Sequence, residues 1–296
     1  MKKFLKSTIC CLFILAVGFS FYGCGQKNLK PLPDTEGKRY SAPEYDFYEH
    51  WVQVDETKNI YGNIYVPKDF DENKTYPAMI MSHGFTSSYA VFNTYIMSLV
   101  RAGFVCYAYD FCGGALTSKS DGDFYETSVM TEVRDLKCVI EDIGRQRYFK
   151  HGDIYLMGVS QGGLVTALTA PAVADKIEGI VLLYPGVSGP DRIRSLYENK
   201  ESIPDYPSFL GVTVGRIYFE DIYDLNAYKE CAKYKGKVLI YHGDKDGIVD
   251  ISWSERALNY YKNAELVTVV GGTHRFENRL VVDICNDFIN KIKRSQ

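Results

Sequence analysis

Six short apolar runs recur along the chain with helix-period segments between them, and this rhythm restricts the fold more than any other feature. The runs are Ala78–Met81, Phe104–Tyr109, Ile154–Met157, Ile180–Leu183, Val238–Tyr241 and Leu266–Val270. Helical patterns lie near 90–102, 129–147, 162–174, 253–263 and 277–293. Strands covered on both faces read as unbroken apolar runs, because neither side meets water. The pattern therefore predicts an α/β protein with a mostly parallel central sheet and helices on both faces. Two alternating segments, His50–Val54 and Ile60–Val66, precede it and read as antiparallel strands, with Pro67 ending the second. No internal repeat is present.

One interval breaks the rhythm. Residues 186–234 separate two expected strands by far more than an ordinary crossover. The segment holds Tyr197, Tyr206, Phe209, Tyr218, Phe219, Tyr223 and Tyr228. It is expected to form a cap over the carboxyl edge of the sheet, where α/β proteins bind ligands. The alternative is a set of extra helices packed at the sheet's side.

Gly158-Val159-Ser160-Gln161-Gly162 follows one expected strand and precedes an expected helix. This is the G-x-S-x-G pattern in the strand–turn–helix setting that a nucleophile elbow requires. The glycines clear space around a strained turn. The helix start brings unsatisfied N–H groups and a positive dipole end to where an oxyanion would form. A serine hydroxyl is a weak nucleophile and needs a base.

In such proteins the chain order is serine, acid, histidine. His50 and His83 lie upstream of Ser160, and His151 falls in a polar segment expected to be solvated. His242 ends a strand. His274, in Gly271-Gly272-Thr273-His274, lies beyond the last strand and is the expected base. The loop His242–Asp250 offers Asp244, Asp246 and Asp250 as the acid. Asp110 and His83 are expected to brace turns, and Glu132, Arg134 and Asp135 to form a solvated helix face.

His83-Gly84-Phe85-Thr86, Asp110-Phe111-Cys112-Gly113-Gly114, Gly158–Gly163, His242–Val249 and Gly272–His274 together resemble the α/β-hydrolase family. Within it, residues 45–293 look similar to bacterial acyl esterases of the cinnamoyl (feruloyl) type. The resemblance implies Asp246 as the acid, through the family pattern H-G-x-x-D-x-I-V. It implies the backbone N–H groups of Phe85 and Gln161 as the oxyanion hole. It also implies a flat apolar acyl group bound beneath the cap. Asp110–Gly114 departs from the commoner D-x-R-G-x-G, and Val159 replaces a frequent histidine, which bears on the pocket and not on the triad.

Residues 1–23 read as an export signal: Lys2, Lys3 and Lys6, then the apolar run Ile9–Phe21, too short to span a bilayer comfortably. Tyr22-Gly23-Cys24 resembles a lipoprotein cleavage site, with Phe21 where an aliphatic residue is usual. The expectation is an exported protein held to the membrane by lipid on Cys24, with 24–44 as linker and 45–296 as the hydrolase domain. The formal charge of −3 becomes more negative once the signal lysines are lost, which speaks against nucleic acid as a partner. Cys106, Cys112, Cys138, Cys231 and Cys285 show no metal-ligand spacing. No metal or organic cofactor is expected. The expected activity is hydrolysis of small acyl esters through an acyl-enzyme. The alternatives are a serine aminopeptidase and a non-catalytic binding protein on the same scaffold.

Overall fold

The computed structural model describes residues 29–293, so the expected signal and Cys24 lie outside it. In chain order the elements are β1 (Arg39–Ser41), β2 (Tyr45–Gln53), β3 (Asn59–Pro67), β4 (Tyr76–Ser82), α1 (Asn93–Arg101), β5 (Val105–Tyr109), α2 (Val129–Ile143), β6 (Phe149–Val159), α3 (Gln161–Thr169) and β7 (Gly179–Leu183). There follow α4 (Gly189–Leu196), β8 (Ser208–Phe209), β9 (Val212–Thr213), α5 (Ile217–Glu220) and α6 (Ala227–Cys231). The chain ends with β10 (Lys237–Gly243), α7 (Ser252–Leu258), β11 (Ala264–Val269) and α8 (Asn278–Lys293).

Nine strands form one sheet in the order β1-β2-β3-β5-β4-β6-β7-β10-β11. The first three and the β3–β5 pairing are antiparallel, and every pairing from β5 to β11 is parallel. Each apolar run splits by parity between the two faces, as the two-residue period of a strand demands. Ala78, Ile80, Leu156, Leu182 and Ile240 enter one core with α2 and α3. Met79, Met81, Met157, Leu183 and Tyr241 enter the other with α1 and α8. Two dry layers against one sheet explain why these runs carry no polar positions.

The strand expected at Ile154 begins at Phe149, which puts the backbone at position 151 in a strand and not in a loop. The expected helix over 129–147 stops at Ile143, where Gly144 follows. The strand expected at His50–Val54 begins earlier, at Tyr45, and His50 lies inside it. None of the five cysteines forms a disulfide, and Cys106, Cys112, Cys231 and Cys285 are buried.

The reading of 24–44 as a linker needs correction for its described part. β1 pairs with β2, Gln53 Nε2 donates to the Lys30 carbonyl at 2.9 Å, and Asn59 Nδ2 donates to the Pro31 carbonyl at 2.9 Å. His50 clamps the same segment, with Nδ1 2.9 Å from Glu36 and Nε2 2.5 Å from Asp142 at the end of α2. Residues 30–44 are therefore stitched onto the domain.

Burial alone would lower the pKa of His50, but the bonds to Asp142 and Glu36 outweigh it and raise it from 6.5 to about 9. The clamp is then fully charged below the unfolded pKa, and its stabilisation is lost as pH climbs through 9. His50→Gln should cost up to about 3 kcal/mol at pH 6, with the gap to wild type narrowing by pH 10. Urea unfolding at pH 6, 8 and 10 measures it.

Candidate active site

Ser160 sits between β6 and α3 with φ 53° and ψ −117°, a left-handed conformation costly for a residue with a Cβ. Its neighbours make the turn sterically feasible. A Cβ on Gly158 would lie 2.2 Å from the Gly162 carbonyl oxygen, and one on Gly162 would lie 2.1 Å from that of Ser82. No side chain fits at either place. The start of α3 thus passes directly beneath the end of β4, and the nucleophile stands clear of the sheet edge.

The structure brings together the three side chains expected to form a relay. His274 Nε2 lies 3.0 Å from Ser160 Oγ, and His274 Nδ1 lies 2.9 Å from Asp246 Oδ2. The Asp246 side chain is fully buried. Its Oδ1 accepts from the N–H groups of Ile248 and Val249 at 2.9 and 3.0 Å. Burial pushes its pKa up, but His242, His274 and these two amides reverse that and hold it well below the ordinary carboxylate range. A fixed negative charge facing Nδ1 leaves Nε2 free to accept a proton. The ring of Tyr184 packs on the imidazole, with centroids 4.8 Å apart.

The competing residues have other tasks. Asp244 accepts from the Gly271 N–H at 2.7 Å, fastening the loop that carries His274, and Asp250 accepts from the Ser252 N–H at the start of α7. His242 bridges Ser254 at 2.7 Å and the Val249 carbonyl at 3.0 Å, with Nε2 also 3.4 Å from Asp246. His83, kept neutral by burial, donates through Nδ1 to the Gly84 carbonyl and accepts from the Phe111 N–H through Nε2. Asp110 accepts from the N–H groups of Tyr89 and Lys119. Both therefore brace loops.

The loop after β4 closes on the serine. A Cβ at Gly84 would stand 3.2 Å from Ser160 Cβ. Phe85, Gln161 and Ser160 line one cleft, and among the described residues neither the Phe85 nor the Gln161 N–H is engaged in a backbone hydrogen bond. Those two amides are where the resemblance puts an oxyanion hole.

No pattern along the chain pointed to what holds Gln161. Its Nε2 donates to Glu132 at 2.8 Å and its Oε1 accepts from the Tyr218 hydroxyl. The Tyr218 ring packs against Phe85 at 5.3 Å. One residue of the 184–236 segment thus touches both Phe85 and Gln161. Glu132 and Asp135, expected on a solvated face, are buried, at 1% and 0% exposed. Asp135 accepts from the Cys112 N–H at 2.8 Å. The correcting signal was spacing: Glu132 falls three residues after Val129 and four before Leu136, on the apolar stripe of α2.

Residues between β7 and β10 arch over this edge. β8 and β9 meet in a two-residue turn, Leu210-Gly211, with φ of 51° and 82°, the hand that matches strand twist. The cleft has two lobes that share Phe85, Ser160, Leu210 and Ile248. The first is mostly apolar, with Leu164, Ile193, Phe209, Ile222 and Trp253 among its walls and Arg192 as its charged residue. The second is more polar and includes Thr86, Ser87, His274 and Arg275. Among the described residues, no acidic side chain lines either lobe. Among the described residues, no cluster of histidine, cysteine, aspartate or glutamate could hold a metal ion, and no helix is long and apolar enough to cross a membrane.

Comparison with known proteins places this geometry. Residues 73–213 match the family Hydrolase_4, described as serine aminopeptidase, S33. The chain is similar to Est1E from Butyrivibrio proteoclasticus in its ferulic acid complex, with 26% identity and a TM-score of 0.74 over 81% of this chain and 98% of that one. A second structure of Est1E is similar at 25% identity and a TM-score of 0.70, over 82% of this chain and 98% of that one. A monoacylglycerol lipase from Paleococcus ferrophilus shares the fold at 21% identity and 0.55, over 76% and 98%. No curated protein sequence matches significantly.

Burial raises the Glu132 carboxyl from 4.5 to about 8, partly opposed by the bond from Gln161. The folded state therefore keeps a proton that the unfolded chain releases, and stability falls as pH rises from about 4.5 to 8. Glu132→Gln should gain on wild type across that window, by at most about 5 kcal/mol, and not below it. Chemical denaturation of both proteins at pH 4.5, 6.5 and 8.5 checks this.

Proposed function

We propose that this protein, whose fold is that of the α/β-hydrolases, is a serine carboxylic-ester hydrolase acting through an acyl-enzyme. One observation carries the reading: an unbroken hydrogen-bonded series from Ser160 through His274 to the buried Asp246, opening on an apolar cleft. Ser160 Oγ attacks the ester carbonyl while His274 takes its proton, and Asp246 stabilises the imidazolium. The Phe85 and Gln161 amides receive the oxyanion, each contributing about 3 kcal/mol to the transition state. His274 then protonates the departing alcohol, and water, deprotonated by the same imidazole, releases the acid from Ser160.

The apolar first lobe suits the acyl group and the more polar second lobe, beside His274, the alcohol. A flat aromatic acyl group of the hydroxycinnamoyl kind fits walls built from Phe85, Phe209 and Trp253, and the similar Est1E was solved with ferulic acid. The family description favours a second reading, an aminopeptidase. Such an enzyme needs a carboxylate for the substrate's ammonium group, and among the described residues the cleft offers Arg192 and Arg275 and no acid. That chemistry supports the ester. We also propose export and lipid anchoring at Cys24, on the strength of the N-terminal pattern.

Turnover of p-nitrophenyl acetate should fall at least about 10⁴-fold in Ser160→Ala, and about 10³-fold or more in Asp246→Asn, with both variants folded. Equal rates in wild type and Ser160→Ala would leave only a binding role. Methyl hydroxycinnamates should be cleaved faster than aminoacyl anilides, and the reverse order would favour the peptidase. Metabolic labelling with palmitate should mark the full chain and not Cys24→Ala.

A further inference from the structure

Helix α4 begins with Gly189 and Pro190 and lays Gly189, Arg192 and Ile193 along the first lobe, the i, i+3, i+4 spacing of one helix face. Arg192 is half-buried there among apolar walls. Among the described residues it makes no ion pair or side-chain hydrogen bond. Its guanidinium stands 5.8 Å from the centre of the Phe209 ring, a contact that leaves the charge unneutralised. The neighbouring arginine behaves otherwise. Arg194 bonds Asp191 and the Tyr223 carbonyl, and Arg256 takes the other oxygen of Asp191 at 2.9 Å. The carboxylate next to Arg192 in sequence is thus already engaged twice.

An arginine partly withdrawn from water in an apolar lobe, with no acid on its walls, has an unmet demand for an anion. Arg275, in the other lobe, is exposed and water can satisfy it. We propose that Arg192 makes the first lobe an anion-recognising acyl site, so that the preferred acyl group is flat and apolar next to its carbonyl and ends in a carboxylate. This rests on the ester-hydrolase reading for its chemistry, but the binding step does not depend on turnover. The carboxylate meets the guanidinium fork in charge-assisted hydrogen bonds while the hydrocarbon lies on Phe209 and Trp253. The site also explains the absence of acidic walls, since a nearby Asp or Glu would occupy Arg192 and repel the ligand.

The probes are the methyl esters of 4-carboxycinnamic acid and 4-methylcinnamic acid, which share the flat cinnamoyl core and differ in charge at its far end. Wild type should favour the carboxylate ester in kcat/KM by about tenfold. Arg192→Met should lose or invert that preference while still cleaving the methyl-substituted ester, which shows that it folds. Arg192→Lys should keep part of it, and the wild-type preference should shrink in 1 M salt. A wild-type preference for the neutral ester, with the same ratio in Arg192→Met, would overturn the proposal. Calorimetric binding of the carboxylate ester to Ser160→Ala, with and without Arg192→Met, separates the two claims. Binding that needs Arg192 without any wild-type turnover would sink the hydrolase reading and keep the anion site. Turnover with binding indifferent to Arg192 would do the opposite.

Discussion

The whole site depends on a close steric crossing: the first turn of α3 runs under the carboxyl end of β4 with no room for a single extra carbon. Gly158 and Gly162 are what permit it, since a Cβ at either would come within about 2.2 Å of a backbone oxygen. The left-handed Ser160 is the consequence. Because the strained turn is held between two strands of a nine-stranded sheet, its cost is borne by packing far larger than itself. The same crossing brings Gly84 against the serine, so the nucleophile and the loop after β4 share one rigid origin.

Electrostatics complete the arrangement from the other side of the edge. Asp246 is removed from water, yet stays charged because two amides and two imidazoles surround it. A carboxylate so supplied cannot move, and it fixes His274 in turn. The asymmetry with Glu132 is instructive. Both carboxyls are buried, but Glu132 has chiefly an amide from Gln161 for company and Asp135 nearby, and its pKa goes up and not down. Burial alone therefore does not decide the charge of a group in this protein; the number and kind of donors around it does.

Much of this was legible in the residues. The unalternating apolar runs report a sheet dry on both faces, and Gly158–Gly162 between a strand and a helix reports the elbow because only glycine suits those crowded positions. His274 was readable from order and loop position, which left three aspartates open as the acid, and the family resemblance singled out Asp246. What stayed hidden was long-range and polar. The Tyr218–Gln161–Glu132 contact joins three segments with no shared pattern, and α2 read as solvated because charged residue types outweighed their place on the buried stripe. The stitching of residues 30–44 was missed for a similar reason. Proline and polar residues resemble a tether, and it is the β1–β2 pairing with side-chain bonds to β2 and β3 that shows otherwise.

The central claim is that the Ser160 hydroxyl attacks because His274 accepts its proton. Rapid-quench mass spectrometry of the peptide carrying residue 160, after mixing with a p-nitrophenyl ester, tests it most directly. The acyl mass should appear on Ser160 within the burst of nitrophenol, and be nearly absent on that timescale in His274→Ala. Acyl mass on another residue, or an equal burst in His274→Ala, would contradict it.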